Sequence, residues 1–159
     1  MAAERPFRLV GVAGTFDMLH KGHKALLRKA FEVGDLVIIG LTTDEFAAKM
    51  KNHEVAPYKE RLAELQAFLM EEGVLDRAEV VAINDPYGPA IWDGGFEALV
   101  VSEETAPRAE EINAIRARRG LKPLELVVIP MVKAENGRPI STTRIRAGEI
   151  DREGHLLRR

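Results

Sequence analysis

The sequence predicts an α/β protein with one open parallel sheet, and three kinds of observation support this prediction. Short apolar runs alternate along the chain with longer segments whose apolar residues recur at helical spacing. Glycine or proline lies at many of the boundaries between them. Strands that alternate with helices pair in parallel, because each helix crosses over from one strand to the next. We therefore expect a Rossmann-like sheet of about five strands with helices on both faces, formed by a single domain over residues 1–159.

Strands are predicted where apolar side chains run almost without interruption. Residues 7–13 and 35–41 are such runs, as expected for central strands that are covered on both faces. Residues 78–83, 98–101 and 124–129 are shorter, and each contains β-branched side chains. These five segments account for the expected sheet.

Helices are predicted between the strands from apolar spacing and from start and stop signals. The first helix follows the turn at residues 14–23 and ends at Gly34, and a short second helix starts within residues 42–45 and reaches Met50. The third runs from Pro57 to Gly73, the fourth contains Glu110 and Glu111 and ends before Gly120, and the last is capped by Ser141. Residues 84–95 hold three glycines and two prolines and are predicted to form a loop without a helix or strand. Residues 150–159 are expected either to extend the last helix or to fray.

The turn at residues 14–23, Gly-Thr-Phe-Asp-Met-Leu-His-Lys-Gly-His, joins the first strand to the first helix. In open α/β sheets ligands bind at the carboxyl ends of the strands, and unpaired amides at a helix start favour an anion. His20 and His23 are three residues apart and therefore lie on one face of the first helical turn. Gly22 between them has no side chain and leaves room for a ligand. The turn is predicted to bind an anionic ligand.

Three interpretations of the histidine pair are open on the sequence alone. The imidazoles cap and pack the helix start, they ligate a metal, or they donate hydrogen bonds to phosphate oxygens. A metal site needs further ligands, and the chain has no cysteine and only two other histidines, His53 and His155. The strand-turn-helix context favours phosphate binding, and no protein-held metal is predicted.

Composition excludes several classes of function. The net charge of −2 shows no basic excess, which argues against nucleic-acid binding. No apolar run approaches the roughly 18 residues of a membrane span, and the first residues lack the apolar region of a signal peptide, so a cytoplasmic location is expected. The glycine-rich fingerprints of dinucleotide-binding proteins and of P-loop kinases are missing. Without cysteine there is no thiol chemistry.

The string GTFDMLHKGH resembles the HxGH signature of the nucleotidyltransferase superfamily. Residues 140–146, Ile-Ser-Thr-Thr-Arg-Ile-Arg, are similar to the second signature of that superfamily, in which Thr142 stands where a serine is usual. The two strings lie in the expected order, about 120 residues apart. Residues 85–90 (DPYGPA) and 100–105 (VVSEET) resemble the archaeal and eukaryotic branch of the phosphopantetheine adenylyltransferases.

This resemblance implies transfer of the adenylyl group of ATP to 4′-phosphopantetheine, which gives dephospho-coenzyme A and pyrophosphate. The acceptor phosphate is itself the nucleophile, so no covalent enzyme intermediate is needed. Catalysis then depends on in-line positioning and on charge stabilisation, with Mg²⁺ held mostly by substrate oxygens and water.

The resemblance also implies roles for individual residues at the ATP site. His20 and His23 donate to the phosphates of ATP, with His23 at the α-phosphate, and Thr15 reaches the phosphates of both substrates. Arg144 supplies a cation for the β- and γ-phosphates, with Arg146 as a less certain partner. The other residues implied at the ATP site are Gly14, Phe16, Gly22, Ser102, Glu104, Ser141, Thr142 and Thr143.

For the acceptor, Lys51 is the implied phosphate ligand, with Lys49 as an alternative. Asp17 binds the pantetheine arm, caps the turn or touches Mg²⁺, and the sequence leaves these three roles open. Tyr87 lines the pantetheine or the adenine pocket. A cytidylyltransferase that acts on a small phosphate such as glycerol 3-phosphate carries similar signatures, and a non-catalytic nucleotide-binding module is a further alternative. The oligomeric state is not predicted.

Overall fold

The computed structural model describes residues 5–50, 54–138 and 140–157, apart from the side chain of Thr143. The strands are β1 (Phe7–Gly14), β2 (Gly34–Thr42), β3 (Ala78–Ile83), β4 (Ala98–Ser102) and β5 (Glu125–Ile129). The helices are α1 (Lys21–Val33), α2 (Asp44–Met50), α3 (Tyr58–Glu71), α4 (Ala106–Arg118) and α5 (Thr142–Arg146). Across the described ranges, no helix has both the length and the apolar character needed to span a membrane.

The five strands form one parallel sheet in the order β3-β2-β1-β4-β5, which confirms the predicted fold class. Gly11 of β1 lies opposite Ile38 of β2 on one side and Leu99 of β4 on the other. The chain leaves β1 toward one edge of the sheet and reaches β4 on the opposite side of β1. The carboxyl ends of β1 and β4 therefore flank the point where ligands bind in such sheets.

Each face of the sheet is covered by different helices. Alternate side chains along β1, such as Val10 and Val12, join a core with apolar residues of α1 and α3. On the other face, Leu9 and Leu99 pack with Ala109 of α4 and with the segment that precedes β4. The covered faces explain why β1 and β2 are nearly continuous apolar runs.

The strand limits agree with the predicted ones to within one residue, but two other segments differ from their predictions. Residues 84–95 contain a 3₁₀ helix, Gly88–Ile91, because the carboxylate of Asp85 accepts hydrogen bonds from the amides of Tyr87 and Gly88 and starts a tight turn. Residues 150–157 neither extend α5 nor fray. Ile150 is completely buried, and the carbonyl of Arg152 accepts a hydrogen bond from the amide of Lys21 at the start of α1 (2.8 Å).

Candidate active site

The loop between β1 and α1 is held in an unusual backbone conformation. Phe16 and Met18 have φ values of 49° and 50°, in the left-handed region that costs non-glycine residues on the order of 1–3 kcal/mol each. Burial of the Phe16 side chain, which is 2% exposed, offsets this cost. Its ring packs against Gly14 and meets the His23 ring edge-on, with centroids 5.3 Å apart. Phe16 therefore supports His23 from the core side.

His20 and His23 cap the first turn of α1 reciprocally. The amide of His20 donates to Nδ1 of His23 (3.1 Å), and the amides of Gly22 (3.0 Å) and His23 (3.4 Å) donate to Nδ1 of His20. The two rings are stacked with centroids 3.6 Å apart. Because each Nδ1 is an acceptor, each neutral imidazole carries its proton on Nε2. The capping interpretation is confirmed, and the same geometry gives both histidines the tautomer that donates through Nε2.

The amides at the start of α1 are not available to an anion, contrary to the sequence-based expectation. Lys21 donates to Arg152, Gly22 and His23 donate to His20 Nδ1, and Lys24 donates to the His20 carbonyl (3.0 Å). The helix dipole still favours negative charge at this end, but an anion bound there must receive its hydrogen bonds from side chains. Gly22 is required by the cap as well, because a Cβ there would lie 2.8 Å from the His20 ring.

Asp17 joins the two signature segments of the chain. Its carboxylate is 2% exposed and accepts hydrogen bonds from Arg146, the shortest at 2.9 Å, and from the amide of Ala56 (3.1 Å). Its backbone carbonyl accepts a hydrogen bond from the Thr142 hydroxyl (2.9 Å). A buried carboxylate is stable only when it is paired in this way. Asp17 therefore holds α5 beside the β1–α1 loop, a structural role that is not among the three left open by the sequence.

The start of α5 lies at the same edge of the sheet. The Ser141 hydroxyl accepts a hydrogen bond from the amide of Arg144 (3.2 Å), which confirms Ser141 as the cap. The guanidinium of Arg144 donates to Glu149 (2.9 Å) and is 15% exposed. The guanidinium of Arg146 is paired with the carboxylate of Asp17. The two signatures predicted from sequence therefore converge, with the histidines and Arg144 on neighbouring elements.

Replacing Asp17 by asparagine is expected to lower the free energy of unfolding by about 1–3 kcal/mol, because charge-assisted hydrogen bonds to a buried carboxylate are lost. Urea denaturation measures this change. Asp35→Asn is the matched control, since within the described ranges the carboxylate of Asp35 pairs only with Arg5 at the surface, and its loss should cost under about 1 kcal/mol. Equal losses in the two variants would contradict the anchoring role.

Arg61 of α3 is a site-forming residue that the sequence analysis missed. Its guanidinium is 1% exposed and donates to the carbonyls of Ala56 (2.7 Å), Thr15 (3.0 Å) and Thr42 (2.8 Å). Nη2 also pairs with the carboxylate of Asp44 (3.1 Å). Arg61 thus ties the carboxyl ends of β1 and β2 to the segment before α3. The available signal was an arginine on the apolar face of α3, four residues before Leu65.

The same guanidinium orients the hydroxyl of Thr15. Arg61 donates to the Thr42 hydroxyl (3.4 Å), and that hydroxyl donates to the Thr15 hydroxyl (3.1 Å). Thr15 is an acceptor in this chain of hydrogen bonds, so its own proton points to another partner. A donor at the end of β1 is therefore available to a ligand.

A cavity of about 210 Å³ opens on the α4 face of the sheet, beside Thr15. It exists because small residues of β1 and β2, Gly11, Ala13 and Gly40, face it in place of large side chains. Tyr87 and its neighbours in the 86–90 segment form one wall, as expected if this segment lines a substrate pocket. Apart from a few hydroxyls and one arginine, the described lining is apolar.

A second buried arginine holds that wall in place. Arg116 of α4 donates to the carbonyls of Ala90 (2.7 Å), Asp93 (2.9 Å) and Lys122 (2.8 Å). Burial lowers the pKa of its guanidinium, and the three carbonyls supply the hydrogen bonds that water would otherwise give. The sequence analysis assigned no role to Arg116.

The remaining predicted residues lie at the edge of this site or outside the described residues. Ser102 ends β4, and its hydroxyl is 3.3 Å from that of Thr105. Glu104 is exposed in the turn that follows. Lys49 is exposed near the end of α2, whereas Lys51 lies outside the described residues. The roles of these residues toward a ligand remain predictions.

A 3-2-1-4-5 parallel sheet with an HxGH turn after its first strand and an IxTTxxR helix start beside it defines a nucleotidyltransferase. The comparisons with known proteins agree. A family model described as cytidylyltransferase-like matches residues 12–148. Phosphopantetheine adenylyltransferase of Methanothermobacter thermautotrophicus is 49% identical over 98% of this chain and 93% of its own length. The enzyme of the same name from Thermococcus gammatolerans is 48% identical over 98% of both chains.

The chain therefore belongs to the cytidylyltransferase-like family and, within it, to the phosphopantetheine adenylyltransferases. Solved structures agree at the level of the fold. A protein of unknown function from Archaeoglobus fulgidus superposes with a TM-score of 0.70 at 34% identity, covering 76% of this chain and 87% of that one. A lipopolysaccharide core biosynthesis protein from Thermoplasma volcanium gives a TM-score of 0.61 at 22% identity, covering 77% and 95%, and shows the fold alone.

Proposed function

We propose that this protein transfers the adenylyl group of ATP to 4′-phosphopantetheine, giving dephospho-coenzyme A and pyrophosphate. The observation that carries the proposal is identity of nearly half the residues, over almost the full length, to relatives that bear the name of this activity. The convergence of both signatures through Asp17 supports it from the structure.

In the proposed reaction, an oxygen of the acceptor phosphate attacks the α-phosphorus of ATP in line. The new P–O bond forms as the bond to the bridging oxygen of the β-phosphate breaks, and pyrophosphate leaves. Charge develops on the oxygens around the α-phosphorus. The Nε2 protons of His20 and His23 are the donors placed to stabilise it, with Thr15 donating from the end of β1.

Arg144 and the start of α5 are proposed to hold the leaving pyrophosphate. Mg²⁺ is proposed to arrive with ATP and to neutralise phosphate charge. Among the described residues there is no group of three or more histidine, cysteine, aspartate or glutamate side chains that could hold a metal ion. The carboxylate of Asp17, once a candidate ligand, already accepts from Arg146 and Ala56.

The cavity beside Thr15 is proposed to take the pantetheine arm. The arm is a thin chain with a branched apolar segment next to its phosphate, and the cavity offers an apolar floor of small residues with Tyr87 at its wall. A phosphate beside Thr15, which lines the cavity, is then at the loop that joins β1 to the histidine-bearing start of α1. Adenosine is proposed to bind near Ser102 and Glu104 at the end of β4.

The test is pyrophosphate release by the purified protein with Mg²⁺, with ATP and CTP each crossed against 4′-phosphopantetheine and glycerol 3-phosphate. Release with ATP and 4′-phosphopantetheine alone is the expected result. Release with CTP would move the protein to the cytidylyl branch that the family description also covers. No release in any combination would contradict the proposed reaction and favour a binding module.

A further inference from the structure

Arg144 is held by a carboxylate that follows it closely in the sequence. Its Nε atom donates to the carboxylate of Glu149 (2.9 Å), which lies five residues further on, beyond the end of α5. Because α5 is only five residues long, the helix by itself gives a long arginine side chain little support. A hydrogen bond at Nε also fixes the plane of the guanidinium, since the group is rigid and planar. Glu149 therefore fixes the direction in which Arg144 points.

The backbone after α5 brings Glu149 back to Arg144. Gly148 has a φ of 78°, the left-handed conformation in which a glycine commonly ends a helix. The amide of Gly148 donates to the carbonyl of Ile145 (3.0 Å), and the amide of Glu149 donates to the carbonyl of Arg144 (3.1 Å). Ile150, the next residue, is completely buried in a cluster with Ile145. The carboxylate is thus placed by a turn that is anchored in the core.

The ion pair between Arg144 and Glu149 differs from the pair between Arg146 and Asp17 on the same helix. Asp17 is 2% exposed and joins distant segments, whereas the side chain of Glu149 is 48% exposed. A half-exposed pair between residues so near in the sequence adds little to the stability of the fold. A carboxylate beside Arg144 also repels phosphate. Neither stability nor charge accounts for Glu149, whereas the direction that it gives to the guanidinium does.

The function proposed above requires such a direction. Arg144 is proposed to hold the pyrophosphate that leaves, and negative charge on that group grows as its bond to the α-phosphorus breaks. A cation stabilises this charge fully only when it is aimed at it, and a small misplacement is costly. Resting on that function, we propose that Glu149 is a positioning residue, which acts through Arg144 and orients its guanidinium toward the leaving pyrophosphate.

Steady-state pyrophosphate release with Mg²⁺, ATP and 4′-phosphopantetheine tests the proposal. Glu149→Ala removes the acceptor of Nε and is expected to lower kcat by about 10- to 100-fold. The KM for ATP should change by less than about 3-fold, because the charge of Arg144 remains. Glu149→Gln keeps an oxygen that accepts from Nε and should recover most of the rate. Glu153→Gln is the matched control and should keep the normal kcat, since Glu153 lies in the same segment but pairs with Lys24 (3.3 Å).

A double-mutant cycle separates positioning from a general effect on the fold. Arg144→Gln is expected to slow turnover at least as much as Glu149→Ala, and the double variant should be no slower than Arg144→Gln alone. Because Glu149 is half-exposed, the variants are expected to stay folded, which circular dichroism checks. Losses that multiply in the double variant would show that Glu149 acts independently of Arg144 and would overturn the proposal.

Two further results would overturn it as well. One is a normal kcat in Glu149→Ala, and the other is a Glu149→Gln variant that is as slow as Glu149→Ala. Turnover by the unaltered protein together with a normal rate in Glu149→Ala contradicts only this inference. No turnover by the unaltered protein contradicts the proposed function and, with it, the inference that rests on it.

Discussion

Replacing His23 by alanine is expected to lower kcat for adenylyl transfer by about 100-fold or more while the protein stays folded. The reason is that Nε2 of His23 is a preorganised hydrogen-bond donor that stabilises charge on the α-phosphate in the transition state. Removal of one such donor typically lowers kcat by about 100-fold or more. Steady-state pyrophosphate release measures kcat, and circular dichroism with thermal unfolding checks the fold. A rate near that of the unaltered protein would remove His23 from the mechanism.

A second variant separates catalysis from capping, because Nδ1 of His23 accepts the amide of His20. In His23→Asn the side-chain oxygen can replace Nδ1 as the capping acceptor, but nothing replaces Nε2. We expect His23→Asn to recover the stability of the helix start, about 0.5–2 kcal/mol, and to stay as slow as His23→Ala. Recovery of activity together with stability would show that His23 acts only as a cap.

Replacing Arg61 by methionine is expected to cost about 3 kcal/mol or more of unfolding free energy. Methionine fills much of the volume but leaves the carbonyls of Thr15, Thr42 and Ala56 buried without their donor. Urea denaturation measures the loss. Arg28→Met is the matched control, because Arg28 lies at the surface with Glu72 and should cost less than about 1 kcal/mol.

Enzyme activity gives an independent test of the role of Arg61. Arg61 orients the Thr15 hydroxyl through Thr42, so the Arg61→Lys variant is expected to have a raised KM even if it folds, because one ammonium cannot reproduce the five hydrogen bonds of the guanidinium. A small loss of stability in Arg61→Met, equal to that of Arg28→Met, would show that the buried guanidinium does not hold the strand ends together.

The strands and the position of the turn could be predicted because they depend on local pattern. Buried parallel strands require apolar runs, and β1 and β2 are covered on both faces of the sheet. The meeting of the two signatures was predictable only through resemblance, since no local rule brings residue 17 to residue 146.

What the sequence did not predict depends on hydrogen bonds between distant backbone groups. Arg61 and Arg116 each satisfy carbonyls from separate segments, and nothing in an amphipathic helix pattern identifies such carbonyls. The amides at the start of α1 are occupied by His20 and Arg152 for the same reason. The sequence around the helix start does not show that the carbonyl of residue 152 will accept one of them. The 3₁₀ helix at Gly88–Ile91 was missed because its prolines and glycines also describe an irregular loop.

The contacts of Asp17 also bear on when this protein becomes active during its synthesis. Asp17 is separated by 125 residues from Thr142 and by 129 from Arg146. Contacts of such long range form late, after the loop-closure entropy between them has been overcome. A nascent chain that has already folded its first strands therefore has the histidines but no α5 beside them. The site is therefore completed late in synthesis, because its two halves can meet only after residue 146 has left the ribosome.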